Sequence, residues 1–370
     1  MSTLDNRIIL INTDTYNKLL EIERLAGEFG SGSLYAPALL SRLQRSVLIT
    51  STGASTRIEG SKLSDEEIEA LIKGVGIHKL INRDQQEVQG YYELMTNIFD
   101  SWRDIEFNEA TIKQFNNILL RYVDKEEHNR GNYKRADNSV GMVDGKGKLI
   151  ATVFKTTLPA HTPEKMKDLV TWTNNAFAQK KHPAVLVVAN FIVEYLAIHP
   201  FQDGNGRSSR ALTNLLLLKS NYGFMPYVSH EKFIEDNKTD YYLALRQSQK
   251  TFGTKNESIT PWLNFFMEVI RKQATQASAL LSKENIEIML SGKQQAVWNY
   301  LQDVPEASID EIFNATKIKR PTVKQAMDKL IKLKKVEKIG YSVATRYRKC
   351  KELVDYKLKE KKPNSHELEM

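Results

Sequence analysis

The segment from residue 188 to residue 220 constrains the fold more than any other part of this 370-residue chain. Its first part is a run of apolar residues that predicts a buried helix ending at Ile198. Pro200 cannot continue that helix with a normal hydrogen bond, and a tight loop with glycines at positions 204 and 206 follows. A second apolar helix is predicted to open at Arg207. The pattern therefore predicts two buried helices joined by a short loop.

The rest of the chain is predicted to be mostly helical. Apolar residues recur at spacings of three and four over many segments. Ser64 and Glu67 form a capping box at the start of one of them, and Pro163 lies in the first turn of another. The predicted helices span residues 16–29, 37–51, 64–73, 87–102, 108–121 and 162–180.

Residues 132–159 interrupt the helical pattern. Two β-prone pieces flank Asp144 and Gly145, a dipeptide that is typical of tight hairpin turns. We predict one β-hairpin inserted into a helical domain. The pattern alone fits a surface excursion as well as a functional flap.

Composition restricts the class of protein. The single cysteine, Cys350, excludes a disulfide framework within one chain and a metal cluster built on cysteines. No stretch approaches the ~18 apolar residues that cross a bilayer, so no membrane partner is expected, and the expected location is the cytoplasm. The net charge of +8 is modest for this length and leaves nucleic acid, acidic partners or solubility as explanations.

A different unit is predicted near the C-terminus. Helices at 294–302, 309–315 and 322–333 precede short strands at 336–339 and 344–348, with a turn at 340–342. This order is that of a winged helix-turn-helix. The predicted organisation is an N-terminal helical region (1–100), a helical core (101–285), the winged helix (290–352) and a polar tail (353–370).

The loop after Ile198 gathers residues suited to phosphate chemistry. A glycine-rich loop that runs into a helix N-terminus exposes backbone N–H groups to an anion. Arg207 and Arg210 are three residues apart and can face the same anion. Asp203 can hold Mg²⁺, and His199 can accept a proton from an attacking hydroxyl. Each feature alone is more often structural, but their order within twelve positions favours phosphoryl-type transfer.

This segment resembles the signature of the Fic family, His-x-Phe-x-(Asp/Glu)-Gly-Asn-(Gly/Lys)-Arg-x-x-Arg. The matching residues are His199, Phe201, Asp203, Gly204, Asn205, Gly206, Arg207 and Arg210. The resemblance covers roughly residues 34–267. It implies a fold that is mainly α, with a Fic-type helical core and the hairpin as a flap, to which the C-terminal winged helix is appended.

The resemblance also implies an activity, the transfer of AMP from ATP to a protein hydroxyl. His199 would be the base and Asp203 the Mg²⁺ ligand, while Phe201 would pack the loop into the core. The α- and β-phosphates would lie on residues 204–206 and Arg207, and the γ-phosphate on Arg210. The Doc branch of the family has lysine where this chain has Gly206 and transfers the γ-phosphate, so the glycine favours AMP transfer.

A second motif lies upstream. Ser55 and Glu59, followed by Gly60, resemble the inhibitory motif (Ser/Thr)-x-x-x-Glu-(Gly/Asn) in its N-terminal arrangement, called class II. By resemblance, Glu59 pairs with Arg210 and removes that arginine from the γ-phosphate. In some relatives the same glutamate positions a water for removal of AMP, so a de-AMPylase using the same site is an open alternative.

Other features point to partners. Tyr241 and Tyr242 resemble the adenine-pocket segment, although tyrosine pairs are equally often core. The hairpin would align a target segment by β-augmentation. Basic residues of the C-terminal unit fit DNA or a protein contact, so a nucleotide-sensing DNA-binding regulator is the other alternative. The target protein is unidentified, with this chain itself as one candidate, and a homodimer is compatible with the family resemblance.

Overall fold

We describe the protein from a computed structural model. The structure describes residues 3–350 apart from residues 10, 34–36, 75–79, 81, 144–148, 334 and 341–344. The chain divides into two compact units, Met1–Glu284 and Asn285–Met370. The predicted hairpin turn at 144–145, most of the predicted turn at 340–342 and the predicted tail at 353–370 lie outside the described residues.

The first unit is helical with one inserted hairpin. Strands β1 (Ser139–Val143) and β2 (Leu149–Lys155) are antiparallel, with Ser139 opposite Lys155. The described helices are α1 (Thr3–Ile9), α2 (Thr13–Ser33), α3 (Pro37–Ile58), α4 (Asp65–Ile72), α5 (Arg83–Ser101), α6 (Glu109–Leu119), α7 (Thr162–Gln179), α8 (Ala184–Ile198), α9 (Asn205–Lys219), α10 (His230–Asp236), α11 (Lys238–Gln249) and α12 (Thr260–Met289), which begins in this unit. The mainly helical prediction with one inserted hairpin is thus confirmed.

Helix α3 is longer than the sequence pattern indicated. The predicted helix stopped at residue 51, whereas α3 continues to Ile58 and carries Ser55 in its last turns. Ala54 and Ile58 are buried there together with polar side chains such as Ser55, so no clear apolar spacing marks this part of the helix. The upstream motif is therefore the C-terminal end of a buried helix.

Helices α8 and α9 form the centre of the first unit. Most residues of both helices are buried, which confirms the two predicted buried segments. α8 ends at Ile198 as predicted, while α9 begins at Asn205, two residues before the predicted start. Within the described residues no helix has both the length and the apolar character needed to cross a membrane.

The second unit has its own small core. Helices α13 (Gly292–Asp303), α14 (Ile309–Thr316) and α15 (Arg320–Lys332) precede the antiparallel strands β3 (Val336–Ile339) and β4 (Arg346–Lys349). This is the order of elements that the sequence predicted, and the assignment to the winged-helix class stays a prediction. Apolar residues from all five elements pack together.

Several arginines of the second unit are already paired within it. Arg320 pairs with Asp310 and lies over the ring of Phe313. Arg346 pairs with Glu306 and Glu311, and Arg348 pairs with Glu337. These contacts occupy guanidinium groups that the DNA hypothesis would assign to phosphates.

A buried polar cluster ties α3 to the core. The carboxylate of Glu231 is fully buried and accepts hydrogen bonds from Ser51 of α3 (2.8 Å), Tyr91 of α5 (3.2 Å) and Asn214 of α9 (2.8 Å). Ser229 adds a fourth donor at 3.0 Å. Four segments thus meet on one carboxylate, and burial of an ionised group is tolerated only with such a set of partners.

Replacing this carboxylate should destabilise the chain strongly. We expect Glu231→Ala to lower the free energy of unfolding by about 3 kcal/mol, because it leaves several buried donors without an acceptor. Urea denaturation of the full chain, followed by circular dichroism, measures the change. The exposed Glu28, which pairs only with Arg24, is the control, and its alanine variant should change less than about 0.5 kcal/mol. Equal effects of the two variants would contradict the anchoring role.

Candidate active site

The loop between α8 and α9 is held by two left-handed residues. His199 ends α8 with φ 53°, and its N–H donates to the Tyr195 carbonyl at 2.8 Å. Gly204 precedes α9 with φ 84°, a conformation that glycine adopts at low cost. A Cβ at Gly204 would also approach a side-chain carbon of Leu119 to 2.7 Å. The loop shape therefore depends on glycine at this position.

His199 is held as a neutral imidazole. Nδ1 lies 3.2 Å from the Leu196 carbonyl, which can only accept, so Nδ1 carries the proton and Nε2 is the unprotonated ring nitrogen. Burial lowers the pKa of His199 to about 4, the Leu196 contact opposes this in part, and Lys134 lowers it further. The side chain lines an open cavity. At neutral pH it is thus ready to accept a proton from a group in that cavity.

Asp203 lies between two arginines. Arg207 contacts both carboxylate oxygens, at 3.0 and 3.1 Å, and Arg83 of α5 contacts Oδ2 at 2.7 Å. Burial raises the pKa of Asp203, but Arg207 and then Arg83 outweigh it and hold the pKa below its ordinary value. The carboxylate is therefore ionised and already faces cationic groups.

This environment suits a magnesium ion. Carboxylate oxygen is a ligand that Mg²⁺ prefers, and the Arg83 guanidinium shows that a cation fits beside Oδ2. Among the described residues there is no group of three or more His, Cys, Asp or Glu side chains that could hold a metal. A cation at Asp203 would thus take its other ligands from water and from a bound phosphate.

Arg207 is oriented by a second carboxylate. Its guanidinium is buried, and Nη1 lies 2.9 Å from Glu87 of α5. Glu87 also accepts from Arg83 at 2.7 Å. The first turns of α5 thus hold both the predicted metal ligand and the predicted phosphate-binding arginine.

Arg210 is held by the upstream motif. Its Nε donates to the Ser55 hydroxyl at 2.8 Å, and Nη2 donates to the Ser55 carbonyl at 2.9 Å and to Glu59 at 2.8 Å. The arginine side chain is 2% exposed and that of Glu59 is 30% exposed. Burial raises the pKa of Glu59, but Arg210 and Arg207 outweigh it, so the pKa is lowered. The carboxylate therefore occupies the place of an anion near both arginines.

Two glycines allow this contact. Gly60 has φ 110°, and the Ser61 N–H returns to the Thr56 carbonyl, so α3 ends directly before Glu59. A Cβ at Gly206 would lie 2.1 Å from the Glu59 carboxylate. Glycine at position 206 thus leaves the room that Glu59 uses here.

Asn205 shapes the loop through its side chain. Its amide donates to the Phe201 carbonyl at 2.8 Å and accepts from the Phe201 N–H at 2.9 Å. Asn116 of α6 donates to the Asp203 carbonyl at 2.9 Å. The ring of Phe201 is fully buried, as the resemblance implied. The side-chain amide of Asn205 is thus engaged within the loop, which leaves its backbone as the group predicted to contact a phosphate.

The tyrosine pair lies at the same cavity. Tyr241 is buried and Tyr242 is partly buried, and their rings meet edge to face with centroids 5.1 Å apart. Leu196 and Leu245 add apolar surface. The cavity is lined by Glu59, Leu196, His199, Gln202, Asp203, Gly204, Asn205, Gly206, Arg207, Tyr241, Tyr242 and Leu245. Most of the residues predicted from the sequence thus share one cavity, and Arg210 and Ser55 lie behind Glu59.

Three contributors were missed by the sequence reasoning. Arg83 and Glu87 are four residues apart on α5, a spacing that usually indicates a surface ion pair. Asn116 is an uncharged polar residue at a fully buried position of α6. That polar residue on an apolar helix face was the one available signal, because a buried amide needs partners.

Sequence comparison relates this chain to proteins of one family. Residues 106–217 match the model of the Fic/DOC family. The chain is 24% identical over 239 residues to protein adenylyltransferase Fic-1 of Caenorhabditis elegans, a match that covers 64% of this chain and 43% of that protein. A stretch of 101 residues is 40% identical to protein adenylyltransferase Fic of Drosophila willistoni, covering 27% and 18% of the two chains. The chain thus spans less than half the length of these curated relatives.

Solved structures show the same fold. A Fic family protein from Desulfovibrio desulfuricans superposes with a TM-score of 0.60 at 23% identity, over 93% of this chain and 98% of that chain. The Fic-1 structure from Caenorhabditis elegans gives a TM-score of 0.58 at 20% identity, over 73% of each chain. The family match, the loop geometry and the fold agree, and this chain therefore contains a Fic domain with its signature loop at residues 199–210.

Proposed function

We propose that this protein transfers AMP from ATP to a hydroxyl side chain of a protein and that Glu59 restrains this activity. The observation that carries the proposal is the arrangement at one cavity. A neutral imidazole, an ionised aspartate and a glycine-rich helix N-terminus surround the same open space. The homology to protein adenylyltransferases supports it.

The reaction is a substitution at the α-phosphorus. The target hydroxyl oxygen forms a bond to the α-phosphorus, the bond to the β-phosphate oxygen breaks, and diphosphate leaves. His199 Nε2 takes the hydroxyl proton. Positioning and neutralisation of charge supply most of the acceleration in such transfers. His199 fits the role of base because its imidazole is neutral at neutral pH and Nε2 is the unprotonated nitrogen.

The phosphates are assigned to the helix N-terminus. Backbone N–H groups of residues 204–206 and the guanidinium of Arg207 face the α- and β-phosphates. Asp203 would hold the Mg²⁺, which would neutralise phosphate charge when bound. Arg210 takes the γ-phosphate once Glu59 releases it. Apolar contact with the adenine ring comes from Tyr241 and Tyr242, which line the same cavity.

Glu59 inhibits by occupying the γ-phosphate position. Its carboxylate is 2.8 Å from Arg210 and is stabilised by Arg207 as well. A triphosphate and this carboxylate would place like charges together, so ATP binds poorly while the pair persists. We propose that the pair opens by movement of the Glu59 side chain, which is 30% exposed.

Two alternative functions remain beside AMP transfer. Removal of AMP would use the same cavity, with Glu59 activating a water. The regulator hypothesis is less favoured, because three arginines of the second unit are paired with carboxylates. The proposal extends to a target protein that is unidentified, to modification of this chain itself, to a homodimer and to a cytoplasmic location. These four extensions are not argued from contacts of the described residues.

The first experiment compares variants in AMP transfer. Glu59→Gly should raise incorporation of α-labelled ATP into protein at least ten-fold over wild type, because Arg210 is released for the γ-phosphate. Glu59→Gly combined with His199→Ala should abolish it, because general-base assistance is lost. Label is measured on the purified protein and on cell extract.

Matched controls define the outcome. Glu28→Gly removes an exposed carboxylate that pairs with Arg24 on α2 and does not line the cavity, so it should not mimic Glu59→Gly. Equal labelling of wild type and Glu59→Gly would refute inhibition. No label in any lane would instead favour the eraser or the regulator.

The pH dependence of transfer follows from the pKa of His199. A base with pKa about 4 stays neutral down to pH 5, so kcat/KM of Glu59→Gly should be nearly flat from pH 5 to pH 8. Loss of Glu59 does not raise this pKa, since its charge raised it. An ordinary histidine would instead lose roughly 30-fold over that range. A half-maximal pH near 6.5 at saturating Mg²⁺ would contradict the neutral, buried base.

Arg83 should compete with Mg²⁺ for Asp203. In Glu59→Gly, we expect Arg83→Gln to lower the Mg²⁺ concentration for half-maximal ATP binding by roughly two- to five-fold, as expected for loss of a half-exposed ion pair. Calorimetric titration of ATP at several Mg²⁺ concentrations measures this. Arg121→Gln, which breaks a similar pair with Glu93 on α5, is the control. A higher Mg²⁺ requirement would show that Arg83 assists the nucleotide instead.

A further inference from the structure

Four consecutive backbone carbonyls of the signature loop accept hydrogen bonds from two residues that precede the hairpin. These carbonyls belong to residues 198–201, and the donors belong to Lys134 and Asn138. A helix end leaves its last carbonyls without intrahelical partners, and a left-handed residue such as His199 turns its own carbonyl away from the helix. The carbonyls at the end of α8, where His199 lies, therefore need hydrogen-bond donors from outside the helix.

Lys134 supplies two of the contacts. Its backbone N–H donates to the Pro200 carbonyl at 2.8 Å, and its ammonium donates to the Ile198 carbonyl at 3.0 Å. The same ammonium donates to Asn138 and Thr156, each at 2.8 Å. All three protons of the ammonium are thus used within one small cluster.

Asn138 supplies the other two contacts. Its amide nitrogen lies 2.8 Å from the Phe201 carbonyl and 3.4 Å from the His199 carbonyl. Its carbonyl side accepts from the ammonium of Lys134 and from the Thr156 hydroxyl. The amide is therefore oriented by its partners, with the donor end toward the loop.

Lys134 is an unusual residue at this place. It is 4% exposed and forms no ion pair within the described part of the chain, where its ammonium contacts only neutral acceptors. Burial lowers its pKa to about 8, although the nearby charge of Asp137 opposes the shift, so Lys134 keeps its charge at neutral pH. Burial of an ammonium is costly, and the three neutral acceptors offset part of that cost.

The cluster also joins the loop to the feet of the hairpin. Asn138 directly precedes β1, which begins at Ser139, and Thr156 directly follows β2, which ends at Lys155. The backbone around His199 and both ends of the hairpin therefore share one set of hydrogen bonds.

We propose that Lys134 and Asn138 are positioning residues that fix the backbone of His199 relative to the hairpin and so align the base with the acceptor hydroxyl. This inference rests on the proposed AMP transfer. Neither side chain contacts Asp203, Arg207 or Arg210 in the described structure. Loss of either residue therefore acts on the chemical step and spares ATP binding.

The test uses the full chain carrying Glu59→Gly. Lys134→Met removes the ammonium, and Lys134→Arg restores a cation with several donors. Asn138→Asp keeps an acceptor for Lys134 and places oxygen where the amide donates to the loop. Lys113→Met is the matched control, since the Lys113 ammonium lies over the Tyr133 ring and not at the loop carbonyls.

We expect Lys134→Met and Asn138→Asp to lower kcat at least ten-fold while the ATP dissociation constant changes less than two-fold. Lys134→Arg should recover most of the rate, and Lys113→Met should retain it. Unchanged kcat in both Lys134→Met and Asn138→Asp overturns the inference. A joint loss of kcat, ATP binding and thermal stability overturns it too, because that pattern is a purely structural effect.

A second readout separates this inference from the proposed function. The charges that act on His199 are Lys134, which lowers its pKa, and Glu59 and Asp203, which raise it. NMR titration of the His199 ring should show a higher pKa in Lys134→Met than in Lys113→Met. If Glu59→Gly transfers no AMP but this shift appears, the proposed function fails and the positioning contact stands. If AMP is transferred without the shift and without loss of kcat, the positioning role fails.

Discussion

The buried guanidinium of Arg210 is the group on which the rest of the site depends. Removed from water, it requires acceptors, and the end of α3 provides a hydroxyl, a carbonyl and a carboxylate from Ser55 and Glu59. The same requirement can be met by a triphosphate. In the proposed function, inhibition and nucleotide binding are two solutions to this one electrostatic demand, and they exclude each other because the Glu59 carboxylate beside Gly206 would take the space of a phosphate.

The position of the inhibitory residue is set by elements far from the cavity. The carboxylate of Glu231 joins α3, α5 and α9, and Arg57 joins α3 to Glu235 at 2.6 Å. Glu59 lies directly beyond this anchored helix, so its backbone is fixed while its side chain stays partly exposed. An anchored backbone that carries a partly exposed carboxylate fits the proposed inhibition.

The signature loop is supported from three directions. The hairpin stem meets its carbonyls through Lys134 and Asn138, α6 meets the Asp203 carbonyl through Asn116, and α5 meets the Asp203 carboxylate through Arg83. Such a shell holds reacting groups within narrow limits, which transfer reactions require. The loop sequence alone names the groups in the cavity, and the shell determines where they point.

The sequence by itself determined the helical class, the inserted hairpin and the signature loop, because spacing and local backbone chemistry act over a few residues. It also identified Glu59 and Arg210 as partners through resemblance, although they are 151 residues apart. Only the tertiary structure decided that α3 continues to Ile58, that Asn205 braces the loop and that Lys134 reaches Ile198. Those outcomes depend on which distant groups meet in a buried space, where desolvation makes each unpaired polar group costly. Local sequence patterns do not predict such long-range contacts.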